Sequence, residues 1–238
     1  AGGVIAAIGV IFLFLVYHKL PIRRYLDVLA IGLMLALMFG RIGCFLNGCC
    51  YGRPTHLPWG VRFPYDSFAY DSQVNPDPHR NRPKAHLQLP RDYFSGVDEK
   101  GRGYLKPKDD LTDEQRFEVT QGKYRCLPVH PTELYASGLA AFWCLMLYLF
   151  WRRGQKAELA GKSRKLFVKP GSTFALMFIV YGVTRFILEA IRDDNPFEYG
   201  WWASQNVSIY MIALGLILMV VFWKMKPDVA PNLSSEEE

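Results

Sequence analysis

Residues 26–55, LDVLAIGLMLALMFGRIGCFLNGCCYGRPT, decide the fold, because a long apolar run carries an arginine close to its end. The apolar part, residues 26–50, provides the roughly 20 residues that an α-helix needs to cross a bilayer. Within it stands Arg41, whose guanidinium costs about 2.5–3.5 kcal/mol on membrane-insertion scales and therefore needs a partner or a polar cavity. Snorkelling to the interface is the alternative, but Gly40 and Gly43, which permit close backbone approach, weigh against it.

Four further apolar blocks follow the same pattern in this chain of 238 residues, half of which are hydrophobic. Polar stretches separate them, as in helical membrane proteins with several spans. The blocks are residues 4–17, 130–151, 174–191 and 207–223. The sequence therefore predicts an all-α fold, a polytopic transmembrane helical bundle with five visible spans.

The net charge of +6 fits a membrane surface rather than a nucleic acid, because the basic residues cluster in short loops beside apolar blocks. If all five spans cross the membrane, three of these loops must lie on the same side of it, and all three are basic. They carry Lys19, Arg23 and Arg24; Arg152, Arg153, Lys156, Lys162, Arg164, Lys165 and Lys169; and Lys224 and Lys226. Since positive loops stay in the cytoplasm, the C-terminus is predicted to be cytoplasmic.

A polar segment, residues 51–129, is too long for a plain connector and predicts either an extracytoplasmic loop or small head domain, or a lid over the membrane site. One short helix is expected after Thr112, its N-cap, and the rest reads as irregular.

The chain opens without a methionine or a charged leader, so a preceding segment is expected. The predicted organisation is residues 1–51 as transmembrane helices, 52–129 as the extracytoplasmic part, 130–226 as three transmembrane helices and 227–238 as a disordered cytoplasmic tail.

A second charged motif lies in the fourth span, at residues 181–192, YGVTRFILEAIR. A helix places Tyr181, Arg185, Glu189 and Arg192 on one face, because they are spaced four, four and three residues apart. An ordinary ion pair along the helix is the simpler interpretation, but inside an apolar span this face needs an inward polar space. Two spans that each aim an arginine at the external side predict an anion site. Guanidinium groups match phosphate, and in a bilayer the obvious anion is a phospholipid headgroup.

Two interpretations of His130 remain open. This histidine begins the stretch HPTELYASG, residues 130–138, at the outer start of the third span. Its imidazole either orients a ligand or acts as a base, or it caps the helix and forms local hydrogen bonds.

The five cysteines predict neither a disulfide framework nor a metal site, because they are odd in number and lack a repeated zinc spacing. No cofactor is predicted. We interpret Cys44, Cys49 and Cys50 as small residues suited to tight packing. A catalytic thiolate assisted by Arg41 is the less favoured alternative.

Three stretches resemble, in order and topology, the motifs of the prolipoprotein diacylglyceryl transferase family of the bacterial inner membrane. They are GRIGCFLNGCCYGRPT at 40–55, HPTELYASG at 130–138 and YGVTRFILEAIRDD at 181–194. The signature G-R-x-G-x-F-x-N-G followed by Y/W-G-R is long and specific. The resemblance covers the chain apart from roughly residues 62–125. It implies a seven-span protein, so the first spans are expected to precede this chain.

The resemblance implies an enzyme of lipoprotein maturation. Such an enzyme transfers the diacylglyceryl group of phosphatidylglycerol to the lipobox cysteine in the signal peptide of a preprolipoprotein and releases glycerol phosphate. It implies membrane lipid as a partner and no nucleic acid. Arg41 and Arg185 match the arginines that hold the phospholipid phosphate, and His130 is the candidate base. The other matching positions, implied to bind phospholipid, are Asn47, Gly48, Gly52, Tyr181 and Glu189.

Three departures separate this chain from the family pattern. The family's His-Gly-Gly motif reads AGG at residues 1–3, with Ala1 in place of the histidine. Cys44 stands where asparagine is usual, and Cys49 where glutamate is common. They leave a catalytically impaired phospholipid-binding membrane relative as an alternative to the transferase. A less favoured alternative, which rests on the two arginines, is an anion transporter.

Overall fold

The computed structural model describes residues 2–80, 82–99, 101–161, 169–193, 197–198 and 201–225. The predictions for Ala1, for the basic residues between 162 and 168, and for the tail from Lys226 onward lie outside the described residues.

Helices form at all five predicted spans. Within the described residues the helices are α1 (Gly2–Tyr17), α2 (Ile22–Leu46), α3 (Phe68–Val74), α4 (Asp113–Thr120), α5 (Thr132–Leu159), α6 (Ser172–Glu189) and α7 (Ala203–Lys224). By length and composition, α2, α5, α6 and the Gln205–Lys224 part of α7 can each cross a membrane. The 16-residue α1 is shorter. The all-α, polytopic membrane fold predicted from the sequence is therefore confirmed.

Several boundaries differ from the predictions: α2 spans Ile22–Leu46 instead of residues 26–50, and the largest difference is at the end of the third span. The third span was expected to end at residue 151, but α5 continues to Leu159. The added stretch, RRGQKAEL, consists mostly of strong helix formers, so the helix continues past the apolar segment into the polar loop.

The chain divides into two compact units, and the first comprises Ala1–Ala36, Ala140–Gly182 and Tyr210–Glu238 as far as these are described. Its small core contains Ala175, Met219 and Phe222. Gly215 lets α7 approach α6 closely, since a β-carbon there would lie 2.7 Å from Cγ1 of Ile179 and 2.9 Å from the carbonyl oxygen of Ala175.

Side-chain contacts in this first unit join the three basic loops. Arg24 forms a 2.6 Å ion pair with Glu158 at the end of α5. The ammonium of Lys169 donates to the carbonyl oxygen of Trp223 and, at 3.3 Å, to that of Met225. The loops that were predicted to share one side therefore meet at one end of this unit, while the side of the membrane on which they lie stays a prediction.

The second unit comprises Leu37–Leu139 and Val183–Ile209 as far as described. It contains α3, α4 and two antiparallel pairs: β1 (Phe94–Val97) with β2 (Gly103–Leu105), and β3 (Phe197–Glu198) with β4 (Trp201–Trp202). Thr112 caps α4 as predicted, in a capping box whose second member is Gln115.

The polar segment that reads as irregular builds a buried core in this second unit. The core residues are Tyr51, Phe63, Tyr65, Ala69, Tyr70, Val74, Tyr93, Leu111, Val119, Cys126 and Val129. Tyrosines supply much of it, and their hydroxyl groups reach backbone acceptors: Tyr70 donates to the carbonyl oxygen of Tyr124 at 2.7 Å. Because these aromatics follow neither a period of 2 nor one of 3.6, the pattern of hydrophobic residues did not predict the core.

Candidate functional site

Backbone hydrogen bonds bring the three motif stretches together at one junction in the second unit. The amide of Gly52 donates to the carbonyl oxygen of His130 at 2.9 Å, and the amide of His130 donates to that of Arg53 at 3.1 Å. The amide of Arg53 in turn donates to the carbonyl oxygen of Ile191 at 2.9 Å. The signature stretch after α2 thus lies between the start of α5 and the end of α6. We call these four residues the motif junction.

Glycine is required at position 52 by this close packing. A β-carbon there would lie 2.7 Å from Cβ of His130, 2.8 Å from the His130 carbonyl oxygen and 2.8 Å from Cγ2 of Thr132. These atoms belong to backbone or to short side chains that cannot move aside. The role of Gly52 is therefore to let the signature stretch approach the start of α5.

A tight turn links α2 to the motif junction. Gly48 and Cys50 both have φ of 68°, in the left-handed region that a β-carbon disfavours. The hydroxyl of Thr132 donates to the carbonyl oxygen of Cys50 at 2.7 Å and holds the turn against α5. Gly48 thus has a conformational reason for its place in the motif, separate from the predicted contact with phospholipid.

Arg41 lies on α2 and is partly exposed. It makes no hydrogen bond or ion pair with any residue that the structure describes. Asn47 follows the end of α2, and its side chain is exposed. A guanidinium near the end of an apolar helix, with no protein acceptor among the described residues, can bind an anion from outside the chain.

The charged face of α6 is more enclosed. Glu189 is buried, and its carboxylate lies 4.0 Å from the guanidinium of Arg192, the residue three positions later. Arg185 lies one turn earlier on α6 and is partly buried. Tyr181 also lies on α6 but falls in the first unit. That Arg41 and Arg185 act together as a phosphate clamp stays a prediction.

His130 has an aromatic neighbour. Its Nδ1 lies 3.5 Å from the hydroxyl oxygen of Tyr135, which accepts a 2.7 Å hydrogen bond from the indole of Trp59. This contact fits the interpretation of His130 as a local hydrogen-bonding residue. The opposite ring nitrogen, Nε2, forms no hydrogen bond or ion pair with a described residue, so the role of a base is also compatible with the geometry.

A buried ion pair that was not predicted from the sequence lies next to the motif junction. Arg82 donates to the carboxylate of Asp193 at 2.9 Å and to the hydroxyl of Ser72 at 2.9 Å, and His86 lies 3.3 Å from the same carboxylate. Both charged side chains of the pair are less than a tenth exposed. Asp193 belongs to the motif stretch at residues 181–194, which was the available signal, but its partner lies 111 residues away.

Comparisons with known proteins agree with these motifs. The sequence model described as prolipoprotein diacylglyceryl transferase matches residues 1–221. Three similar proteins, each named phosphatidylglycerol–prolipoprotein diacylglyceryl transferase, come from Clostridium tetani, Rhodopirellula baltica and Synechococcus elongatus. They are 28%, 27% and 26% identical over 91%, 94% and 99% of this chain. The chain spans 61%, 56% and 63% of their lengths, less than two thirds of each.

Proposed function

The chain belongs to the prolipoprotein diacylglyceryl transferase family, and from this premise we propose that it transfers the diacylglyceryl group of phosphatidylglycerol to a prolipoprotein. The acceptor is the lipobox cysteine thiol in the signal peptide, and glycerol phosphate leaves. The relatives' names support both substrates, and the membrane-spanning helices give the phospholipid access. The proposed location is the bacterial inner membrane, with a cytoplasmic C-terminus and residues 52–129 on the outer side.

One observation carries this proposal: Arg41, on a membrane-spanning helix, has no acceptor among the described residues. A phosphate diester in the bilayer offers the acceptor that this guanidinium lacks. Arg185 is the proposed second half of the phosphate site. The other residues proposed to surround the phospholipid are Asn47, Gly48, Gly52, Tyr181 and Glu189.

The chemistry proposed for these residues is a displacement at the glyceryl carbon. A thiolate is the nucleophile, because a neutral thiol attacks slowly. The sulfur–carbon bond forms as the carbon–oxygen bond to the phosphate breaks, and the electron pair leaves with the glycerol phosphate. Arg41 and Arg185 stabilise the charge that develops on this leaving group, as preorganised cations do. His130 is the candidate base that removes the thiol proton.

Residues 52–129 are proposed as the part that docks the prolipoprotein. Their buried aromatic core makes them a folded structure rather than a connector. Their chain adjoins the motif junction at both ends, through Gly52 and Val129. A precursor bound by this segment is therefore held next to the proposed phospholipid site.

The test is transfer from labelled phosphatidylglycerol to a lipobox peptide by the full-length protein in lipid nanodiscs. We expect label on the cysteine peptide and none on a matched peptide with serine in its place. Absence of transfer while phosphatidylglycerol remains bound would replace the transferase with the phospholipid-binding alternative. The contact between His130 and Tyr135 is the observation that favours this second candidate. An anion transporter is not favoured, because the similar proteins are named as transferases.

A further inference from the structure

We propose that Cys44, Cys49 and Cys50 bind one Zn²⁺ ion through three thiolates, leaving a fourth position that takes the thiol of an external cysteine. The role given to the fourth position rests on the proposed function, whereas the metal site itself does not. The three residues are called the thiol cluster below.

The first support is distance. The three sulfur atoms of the thiol cluster all lie within 4.8 Å of one another. A tetrahedral zinc ion with Zn–S bonds of about 2.3 Å keeps its sulfurs about 3.8 Å apart, so small side-chain rotations close the site. All five cysteines of the chain are described, and none forms a disulfide.

The second support is the backbone that assembles the cluster. The left-handed residues Gly48 and Cys50 turn the chain back toward the end of α2. The amide of Cys49 donates to the carbonyl oxygen of Cys44 at 3.1 Å, and its thiol lies 3.6 Å from the same oxygen. A left-handed conformation is costly for a residue other than glycine, and such conformations concentrate at functional sites. The turn thus places Cys49 and Cys50 beside Cys44, which the spacing along the sequence did not predict.

The third support is accessibility. All three thiol-cluster residues are partly exposed, as is Cys144, whereas Cys126 lies in the aromatic core. An ion and an external thiol need a path to the sulfurs, and a fully enclosed cluster would not offer one. Three cysteine ligands with one open position is the ligand count of zinc sites that bind a water or a substrate.

The fourth support is the position of Arg41. It precedes Cys44 by three residues on α2, so the two side chains lie on the same face of the helix. Its positive charge offsets part of the negative charge of three thiolates. If Arg41 holds the phospholipid phosphate, the phosphate and the thiol of Cys44 lie on the same face of α2.

These features supply a way to form the nucleophile of the proposed reaction. A thiol that coordinates Zn²⁺ gives up its proton, which His130, the candidate base of the proposed function, takes up, and it stays a thiolate at neutral pH. That thiolate forms the sulfur–carbon bond, the carbon–oxygen bond to the phosphate breaks, and glycerol phosphate leaves with the electron pair. The metal is neither oxidised nor reduced, and no further reactant is needed.

Metal binding is tested first, with the full-length protein purified in reduced, metal-free form and loaded with Zn²⁺ or, as a spectroscopic substitute, Co²⁺. We expect one ion per chain and the thiolate-to-cobalt charge-transfer absorption of a tetrahedral site. Cys44→Ser, Cys49→Ser and Cys50→Ser should each weaken or abolish both signals.

Cys144→Ser is the matched control and should retain both signals, since this thiol contacts the carbonyl oxygen of Ile31 in the first unit. Unchanged metal binding in the three cluster variants, or a disulfide within the cluster of the native protein, would overturn the site.

The fourth position is tested by adding the lipobox peptide to the cobalt form without phosphatidylglycerol. The cysteine peptide should increase the thiolate-to-cobalt absorption, and the serine peptide should leave it unchanged. Equal spectra with both peptides would overturn the role of the fourth position. Full transfer activity after metal removal would also overturn that role and leave the proposed transferase standing. A cobalt site that binds the cysteine peptide in a protein with no transfer would count against the proposed function alone.

Discussion

The amide of Gly52 and the carbonyl oxygen of His130 form a 2.9 Å hydrogen bond with no room for a side chain on the glycine. This contact holds the signature stretch against the start of α5. It therefore fixes where the turn after α2, with its glycine and cysteines, lies relative to the histidine motif.

Gly52→Ala is expected to disrupt this contact. The new β-carbon would meet the His130 carbonyl oxygen at 2.8 Å, and such overpacking costs about 1–3 kcal/mol. We expect a lower unfolding temperature and reduced transfer from labelled phosphatidylglycerol. Gly138→Ala is the control, since a β-carbon there meets nothing within 4 Å and alanine favours a helix. Equal stability and transfer in both variants would show that position 52 is not constrained by His130.

The helices and the motifs were predictable from the sequence for simple physical reasons. A transmembrane helix is encoded by a local run of apolar residues, and the spacing of Tyr181, Arg185 and Glu189 on α6 follows from the helical period. Arg192 was predicted on the same helix face but lies beyond the end of α6 at Glu189. Gly52 and His130 lie within recognisable motifs, although the spacing of the motifs did not predict the contact between them.

Contacts between distant segments were not predictable. Arg82 and Asp193 are separated by 111 residues, and no local period relates an arginine in an irregular segment to an acid after α6. The thiol cluster was missed for another reason: the left-handed turn at Cys50, a residue that seldom adopts this conformation, brings the three sulfurs together.

Arg41→Lys and Arg185→Lys are expected to weaken phosphatidylglycerol binding and transfer by about tenfold or more. Lysine keeps the positive charge but cannot form the bidentate hydrogen bonds of a guanidinium with a phosphate. A hydrogen bond to a charged group contributes about 1.5–3 kcal/mol. Binding and transfer of labelled phosphatidylglycerol in nanodiscs measure the effect. Arg24→Lys, in the pair with Glu158, should leave both unchanged. Wild-type binding in the Arg41 and Arg185 variants would remove the phosphate clamp from the proposal.

Asp193→Ala is expected to destabilise the second unit strongly. It leaves the buried guanidinium of Arg82 without its carboxylate, and breaking a buried ion pair in this way costs about 3–5 kcal/mol. Chemical denaturation followed by tryptophan fluorescence measures the loss. Asp113→Ala, which removes an exposed partner of Arg116, is the control and should change stability little.

The double variant Arg82→Met with Asp193→Leu separates charge burial from other effects of these substitutions. Because it removes both charges, it should be less destabilised than Asp193→Ala. A double variant as unstable as Asp193→Ala would mean that the buried charge of Arg82 does not cause the loss.

Asp27→Ala is expected to loosen the start of α6 in the first unit. The two carboxylate oxygens of Asp27 accept hydrogen bonds from the amides of Gly171, at 2.7 Å, and Phe174, at 2.9 Å. Loss of a capping acceptor costs about 0.5–2 kcal/mol. The unfolding temperature in detergent should fall, and hydrogen exchange at the start of α6 should become faster. Asp110→Ala, at an exposed position, serves as control; the same exchange rates in both variants would rule out the capping role.

Stability of the second unit should fall at alkaline pH because of its buried tyrosines. Burial, with the nearby charge of Asp66, raises the pKa of Tyr65 to about 12, and burial raises the pKa of Tyr70 and Tyr93 as well. An unfolded tyrosine has a pKa of about 10, so above that pH the unfolded chain loses protons that the folded chain keeps. The stabilisation from neutral Tyr65 is complete below pH 10 and is lost as pH rises through about 12, at up to about 1.4 kcal/mol per pH unit. Denaturation midpoints should therefore stay level from about pH 8 to 10 and decrease from about pH 10 to 11. Tyr65→Phe should make this decrease with pH smaller, although it also removes the hydrogen bond to the carbonyl oxygen of Lys106. Tyr104→Phe is the control: this tyrosine is exposed on β2, so the slope of the midpoint against pH should stay unchanged. A slope unaffected by Tyr65→Phe would mean that the alkaline loss arises from other groups.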